Sequence, residues 1–201
     1  MQIVLATSNK GKVREIASIL GEMSVVIKTK ADFGLGEIPE TGSTFEENAL
    51  FKAKTVSEAT GMIALADDSG LVVPYLNGEP GVYSARYAGP KATDEQNNVK
   101  LLARLQGVPK EQRSAYFVCV LALWSPTGKY FLVQGKWDGY IAERPRGENG
   151  FGYDPIFVDK RTGLTAAELS PEQKNQISHR AKALCALQEK WPYFWAELDR
   201  V

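Results

Sequence analysis

Cysteine and histidine are scarce in this chain: two cysteines, Cys119 and Cys185, and one histidine, His179, among 201 residues. That scarcity excludes a disulfide framework, a thiolate metal site, a multi-histidine zinc site and a conventional Ser-His-Asp triad, so a bound metal has to be held by oxygen. Both cysteines read as small apolar core residues. Neither sign of charge prevails, with 24 Lys plus Arg against 24 Asp plus Glu. No global basic field therefore recruits a nucleic-acid polymer, and any polyanion site is local. Long hydrophobic runs are missing too. The opening stretch has no basic region and its apolar run stops at Thr7, too short for a signal peptide or a membrane span. The expectation is a soluble, cytoplasmic protein that meets no membrane. No repeat or low-complexity segment breaks the chain, and its length suits one well-filled domain, with or without two lobes.

What is present is most concentrated at Met62-Ile63-Ala64-Leu65-Ala66-Asp67-Asp68-Ser69-Gly70-Leu71. This is an apolar run that ends on two adjacent carboxylates, a hydroxyl and a glycine. It reads as a buried strand that delivers Asp67 and Asp68 to a crevice. Successive strand residues face opposite ways, so the two acids cannot do the same job unless the backbone turns there. Asp-Asp-Ser-Gly is also ordinary turn chemistry, and both readings stand on this segment alone.

Earlier in the chain, a strand at Ile3 to Ala6 leads through Thr7-Ser8-Asn9-Lys10-Gly11-Lys12 into Val13, Ile16, Ala17 and Leu20 at helical spacing. Hydroxyls, an amide, two ammonium groups and a glycine at a helix N-terminus suit a phosphate, although such residues also serve for capping alone. A second strand spans Val25 to Thr29. Glu40 lies just before a helix for which Ser43 with Glu46 and Thr44 with Glu47 both satisfy the capping-box spacing; Gly61 ends it. Phe45, Ala49, Ala53 and Val56 form its apolar face. Asn48 and Lys52, four apart, either lie on solvated surface or turn with Glu40 toward the Asp67-Asp68 strand.

Leu71 to Leu76 reads as continuing strand and Asn77-Gly78 as a hairpin turn. Arg86 in the aromatic 80s loop is either an anion clamp or a surface ion-pair partner. A helix over Thr93 to Gln106 directs Val99, Leu102 and Leu105 to the core and suggests no chemistry. Ala115 to Trp124 is a central strand, followed by strands at Tyr130 to Val133 and Trp137 to Ala142. Gly150-Phe151-Gly152-Tyr153-Asp154-Pro155, ahead of the strand Ile156 to Val158, sets a ring beside bare backbone. Such a loop either stacks a planar base and reads its edge or packs its ring inward. Ser170, Pro171 and Gln173 start the last long helix, with Ile177, Ala181, Leu184 and Leu187 as its buried stripe. Lys174 and Ser178 are one turn apart on it, and His179 and Arg180 follow. The lone histidine reads as structural rather than as the base. Pro192 ends the helix before an aromatic tail, Trp191-Pro192-Tyr193-Phe194-Trp195, that packs on the body or on a partner subunit.

Six motifs in order carry a resemblance: Thr-Ser-Asn-Lys-Gly-Lys at 7–12, Glu-Thr-Gly-Ser-Thr-Phe-Glu-Glu-Asn-Ala at 40–49, Ala-Asp-Asp-Ser-Gly-Leu at 66–71, Pro-Gly-Val-Tyr-Ser-Ala-Arg-Tyr at 80–87, Gly-Phe-Gly-Tyr-Asp-Pro at 150–155 and Ser-His-Arg at 178–180. Together they resemble the RdgB/inosine triphosphate pyrophosphatase family. The resemblance implies magnesium-dependent hydrolysis of non-canonical purine nucleoside triphosphates (ITP, dITP, XTP) to monophosphate and pyrophosphate. It implies that Glu40 and Asp68 hold Mg2+, that Asp68 accepts the proton from water with Asp67 as a possible second base or ligand, and that Lys12 and Lys52 neutralise phosphate charge. Thr7, Ser8, Asn9, Lys10, Gly11 and Lys12 would cradle phosphates and Ser69 would touch substrate. Base recognition would fall to Phe151, Gly152, Tyr153 and Asp154 with Lys174, His179 and Arg180. A 6-oxo purine presents an acceptor where adenine presents a donor, so fixed donors at that edge reject ATP. The implied fold is α/β over residues 1–201, a long mixed central β-sheet flanked by helices, with two lobes around a nucleotide-binding cleft. A homodimer is implied as well. A non-hydrolysing nucleotide sensor and a phosphohydrolase with another base preference are the competing functions.

Overall fold

The computed structural model describes residues 2–21 and 25–198, with the side chains of Ile19, Trp195, Glu197 and Leu198 outside the description. Among the described residues six strands form one mixed sheet in the order β2-β1-β3-β4-β5-β6. They are β1 (Gln2–Leu5), β2 (Val26–Thr29), β3 (Ala64–Val72), β4 (Ser114–Trp124), β5 (Tyr130–Ile141) and β6 (Phe157–Asp159). β1 pairs in parallel with β2 and with β3, and β5 pairs antiparallel with β6. The helices are α1 (Lys10–Leu20), α2 (Phe45–Thr60), α3 (Asp94–Arg104), α4 (Pro171–Ile177) and α5 (His179–Leu198). The α/β class and the mixed sheet are those expected from the motifs.

The chain divides into two compact units, one of residues 1–68, 119–135 and 180–201, the other of residues 69–118 and 136–179. In the first unit the strands are apolar on both faces, as a doubly covered sheet requires. Ile3, Leu5, Leu65, Cys119, Leu121 and Leu123 point to one side and pack with Ile16 and Leu20 of α1 and Leu184 and Leu187 of α5. Val4, Ala6, Ala64, Ala66, Val120 and Ala122 point to the other and pack with Ala49, Ala53 and Val56 of α2. Small side chains on that second face let α2 lie close to the sheet. The second unit has its own core, built on Leu71, Leu101, Leu105, Phe117, Trp137 and Phe157.

Several local expectations are corrected. β3 ends at Val72 and Pro74–Leu76 is a short 3-10 turn, because Pro74 has no N–H to donate to a sheet. Asn77 adopts a left-handed φ of 55°, yet the returning chain makes a single bridge, Val72 to Pro80, instead of a hairpin. Residues 130–141 are one strand, since Gly135 is accommodated without a break. Leu105, at the end of α3, is buried and Leu102 packs against the core as expected, while Val99 is exposed and Leu101 is buried. The last long helix is two: Ser178 is extended (φ −68°, ψ 162°) and separates α4 from α5. Ile177 consequently packs in the second unit's core and Leu184 and Leu187 in the first's. α5 then runs through Pro192 without ending there, and Cys185 on it is exposed. Of the aromatic tail, Phe194 is buried and packs against Phe131, and the Trp195 side chain lies outside the description.

Candidate active site

β3 carries the site, and its pleat determines how. The strand is unbroken from Ala64 to Val72, which removes the turn reading of Asp67 and Asp68. With period-two alternation, Asp67 falls on the face of Leu65, toward α1 and α5, and Asp68 on the face of Ala64 and Ala66, toward α2. Both are buried, at 1% and 4% exposure.

Asp67 sits between two cations. Lys12 Nζ of α1 is 2.9 Å from its Oδ2 and Arg180 Nη2 of α5 is 3.2 Å from the same oxygen. Arg180 is itself 1% exposed and also pairs with Glu15 of α1. Burial alone would push the Asp67 carboxyl up, but the charges of Lys12 and Arg180 outweigh it and hold the group far below the usual carboxylate range.

Asp68 belongs to a different set. Lys52 of α2 donates to Asp68 Oδ1 at 3.1 Å and to Glu40 Oε1 at 2.6 Å, and Asn48 Nδ2 donates to Asp68 Oδ2 at 3.1 Å. The surface reading of Asn48 and Lys52 is therefore set aside, for both are buried. The same Asn48 accepts from the Gly42 N–H at 2.8 Å and so ties the loop that carries Glu40 onto α2. A Cβ on Gly42 would come within 2.8 Å of both Asn48 Oδ1 and Glu47 Cβ, hence a glycine there. Of the two capping boxes, Thr44 with Glu47 is the one formed. Burial and the neighbouring Glu40 push the Asp68 carboxyl above its ordinary value against the pull of Lys52. The Glu40 carboxyl, less buried, is drawn below its ordinary value by Lys52 in spite of desolvation. The Lys52 ammonium is held above its ordinary value by Asp68, Asp67 and Glu40, which outweigh the cost of burial.

The loop after β1 is half-buried at Thr7 and exposed at Ser8, Asn9 and Lys10. Asn9 caps α1, its Oδ1 accepting from the N–H groups of Gly11 and Lys12 at 2.9 and 3.1 Å, and Thr7 Oγ1 accepts from the Asn9 N–H. Ser69 is half-buried on β3 beyond the two acids.

In the second unit, Lys174 Nζ lies 2.6 Å from Asp154 Oδ2 and 4.8 Å from the centre of the Phe151 ring. Asp154 Oδ2 also accepts from the Phe151 N–H at 2.9 Å. A Cβ on Gly150, whose φ is +80°, would run into that carboxylate. His179 is buried and stacks on Phe117 with ring centres 4.7 Å apart. The Tyr153 hydroxyl donates to the Ser84 carbonyl at 2.8 Å, and burial pushes its pKa up. Gly152 spends both main-chain groups locally, donating its N–H to Asp94 and accepting at its carbonyl from Asn98.

Six of the expected residues thus come together in the first unit (Lys12, Glu40, Lys52, Asp67, Asp68 and Arg180) and Phe151, Asp154 and Lys174 in the second. Arg180, grouped by resemblance with base recognition, bonds to Asp67 and Glu15. Glu15, Asp94 and Asn98 were not singled out from the sequence; polar residues on amphipathic helices carry no local mark of a long-range partner. Arg86 stacks its guanidinium on Tyr83.

A solved structure of a HAM1 protein from Coxiella burnetii superimposes with a TM-score of 0.88 at 45% identity, covering 96% of this chain and 99% of that one. The dITP/XTP pyrophosphatase of Nitratidesulfovibrio vulgaris is 54% identical over 200 residues, 96% of this chain and 97% of that protein. That of Geobacillus kaustophilus is 54% identical over 191 residues, 94% of each. A family model described as the Ham1 family matches residues 3–190. The chain belongs to the Ham1 family, the kinship that the six ordered motifs indicate.

Proposed function

We propose that this protein hydrolyses non-canonical purine nucleoside triphosphates (dITP, ITP, XTP) to the monophosphate and pyrophosphate, and that residues 1–201 work as one catalytic domain. Two of the relatives named above are called dITP/XTP pyrophosphatase. The observation that carries the reading is the cluster on α2 and β3, in which one buried ammonium, Lys52, serves two carboxylates, Glu40 and Asp68.

Two carboxylates sharing one cation leave a surplus of negative charge among hard oxygen donors. That fits Mg2+, which usually takes one or two carboxylates and completes its shell with water and substrate phosphates. Glu40 and Asp68 would hold it; among the described residues no cluster of three or more potential ligands competes. When bound, the ion polarises phosphoryl oxygens and stabilises charge on them.

The chain's own groups do the rest. Lys12 and Lys52 offset charge that builds on the triphosphate. Water attacks the α-phosphorus, an O–P bond forms, the bond to the bridging oxygen breaks and pyrophosphate leaves. The proton of the attacking water goes to Asp68. Asp67, held ionised by Lys12 and Arg180, is a poor acceptor and serves to position Lys12. Thr7 to Lys12 and Ser69 contact phosphates and sugar. Phe151 stacks the base. With the main-chain groups of Gly152 already engaged, side chains, Lys174 and His179 first, read the base edge.

Among the described residues no helix is long and apolar enough to cross a membrane. A cytoplasmic location, expected from the sequence, is part of this proposal. The test is pyrophosphate release from dITP, ITP, XTP, ATP and GTP with and without magnesium. Expected are rates on the first three at least about tenfold above those on ATP, abolished by chelation. Tight binding with no release would make the protein a sensor, and equal rates on all five would remove the base selectivity.

A further inference from the structure

The Phe151 ring can accept a base only if the loop that presents it holds still, and the second unit shows how that is done. Phe151 is followed by Gly152 at φ +63°, where a Cβ would meet nothing within 4 Å, so the glycine is there for backbone conformation rather than for space. Such a residue is held by its peptide groups or not at all. Both are held from one helix. Asp94, in the first turn of α3, accepts from the Gly152 N–H at 2.7 Å. Asn98, one turn later on the same face, donates Nδ2 to the Gly152 carbonyl at 3.0 Å.

We infer that Asp94 and Asn98 form a two-point clamp on Gly152 that aims the Phe151 ring, and are positioning residues for base selection. This rests on the proposed role of Phe151 in base stacking. Asp94 is an exposed carboxylate reaching 58 residues along the chain to one loop amide, a bond that capping of α3 does not need, since Thr93 and Gln96 already form its capping box. Asn98 is buried, and its Oδ1 has no hydrogen-bond partner among the described residues. A buried amide that leaves one oxygen unsatisfied is costly, so its single donor bond to Gly152 has a use that a leucine would not serve. On its other side Phe151 is fixed by its N–H bond to Asp154. The ring is therefore placed by anchors on two consecutive residues, and removing the Gly152 anchor frees it to tilt without touching Glu40, Lys52 or Asp68.

The experiment compares wild type, Asp94→Ala, Asp94→Asn and Asn98→Ala for kcat and KM on dITP and dATP, with thermal midpoints alongside. Asp94→Ala is expected to raise KM for dITP about tenfold with kcat within about twofold, and to narrow the dITP:dATP preference by a similar factor. Asp94→Asn keeps an acceptor oxygen and is expected to restore both. Because Asp94 is exposed, these two variants report even if Asn98→Ala is too unstable to assay. A selective wild type with Asp94→Ala of unchanged KM and preference would overturn the clamp alone. An equal loss in Asp94→Asn and Asp94→Ala would also overturn it, by making charge and not the bond responsible. A wild type that does not distinguish dITP from dATP would overturn the base-recognition reading beneath it.

Discussion

Asp67 and Asp68 are neighbours in sequence with opposite electrostatic settings, and the pair shows how much one step along a strand changes. Asp67 is neutralised twice over, by Lys12 and Arg180, and its carboxyl is driven down. Asp68 shares Lys52 with Glu40 and is driven up. Their amide variants should therefore fail differently. Asp68→Asn keeps the shape and leaves Lys52 paired with Glu40; turnover is expected to vanish while denaturant stability stays within about 1 kcal/mol of wild type. Asp67→Asn takes one carboxylate partner away from the buried Arg180. Breaking one side of a buried pair costs about 3–5 kcal/mol, so this variant should be visibly less stable. Active Asp68→Asn, or an Asp67→Asn as stable as wild type, would contradict the division of roles.

At the scale of elements, the β5–β6 pair is short on its outer side. β6 has three residues, and its last one does much of the holding. Asp159 Oδ1 accepts from Trp137 Nε1 of β5 at 2.7 Å, and its Oδ2 accepts from the N–H groups of Arg161 and Thr162. Burial opposes ionisation of Asp159, but these bonds prevail and hold its pKa below the ordinary carboxyl value. A carboxyl depressed in the folded state stabilises above its unfolded pKa of about 3.9, and that contribution is lost as pH falls through the lower, folded value. In urea unfolding followed from pH 7 to pH 3, Asp159→Asn is expected to be less stable than wild type at neutral pH, with the gap closing below about pH 4. A gap independent of pH would show that the charge on Asp159 does not matter.

For the molecule as a whole, exposed aromatics in the second unit include Tyr75 and Tyr83. We expect a homodimer, as the resemblance implies, and light scattering should return about twice the 22.1 kDa chain mass. A monomer at micromolar concentration would rule this out. Lys12, Glu40, Lys52, Asp67 and Asp68 belong to one unit, and Phe151, Asp154 and Lys174 to the other.

Local order was readable wherever it is enforced locally. The apolar run into Asp67, the capping boxes at Thr44, Thr93 and Ser170, and the left-handed glycine at Gly61 all follow from spacing and residue type. Elsewhere the local rules are permissive: Gly135 stays in a strand, Pro192 stays in a helix, and Ser178 breaks one although serine demands no break. The class of fold, the ordered motifs and the presence of two acids at one strand can be read from the chain alone. Which cation each acid meets, the burial of Asn48 and Lys52, the pairing of Arg180 with Asp67 and the hold of α3 on Gly152 depend on long-range packing. Those contacts join residues 16 to 113 positions apart, and nothing in the local pattern encodes a partner at that separation. Packing of α1, α2 and α5 on the two faces of β3 brings the acids and their cations together, and the pleat sorts the acids between them.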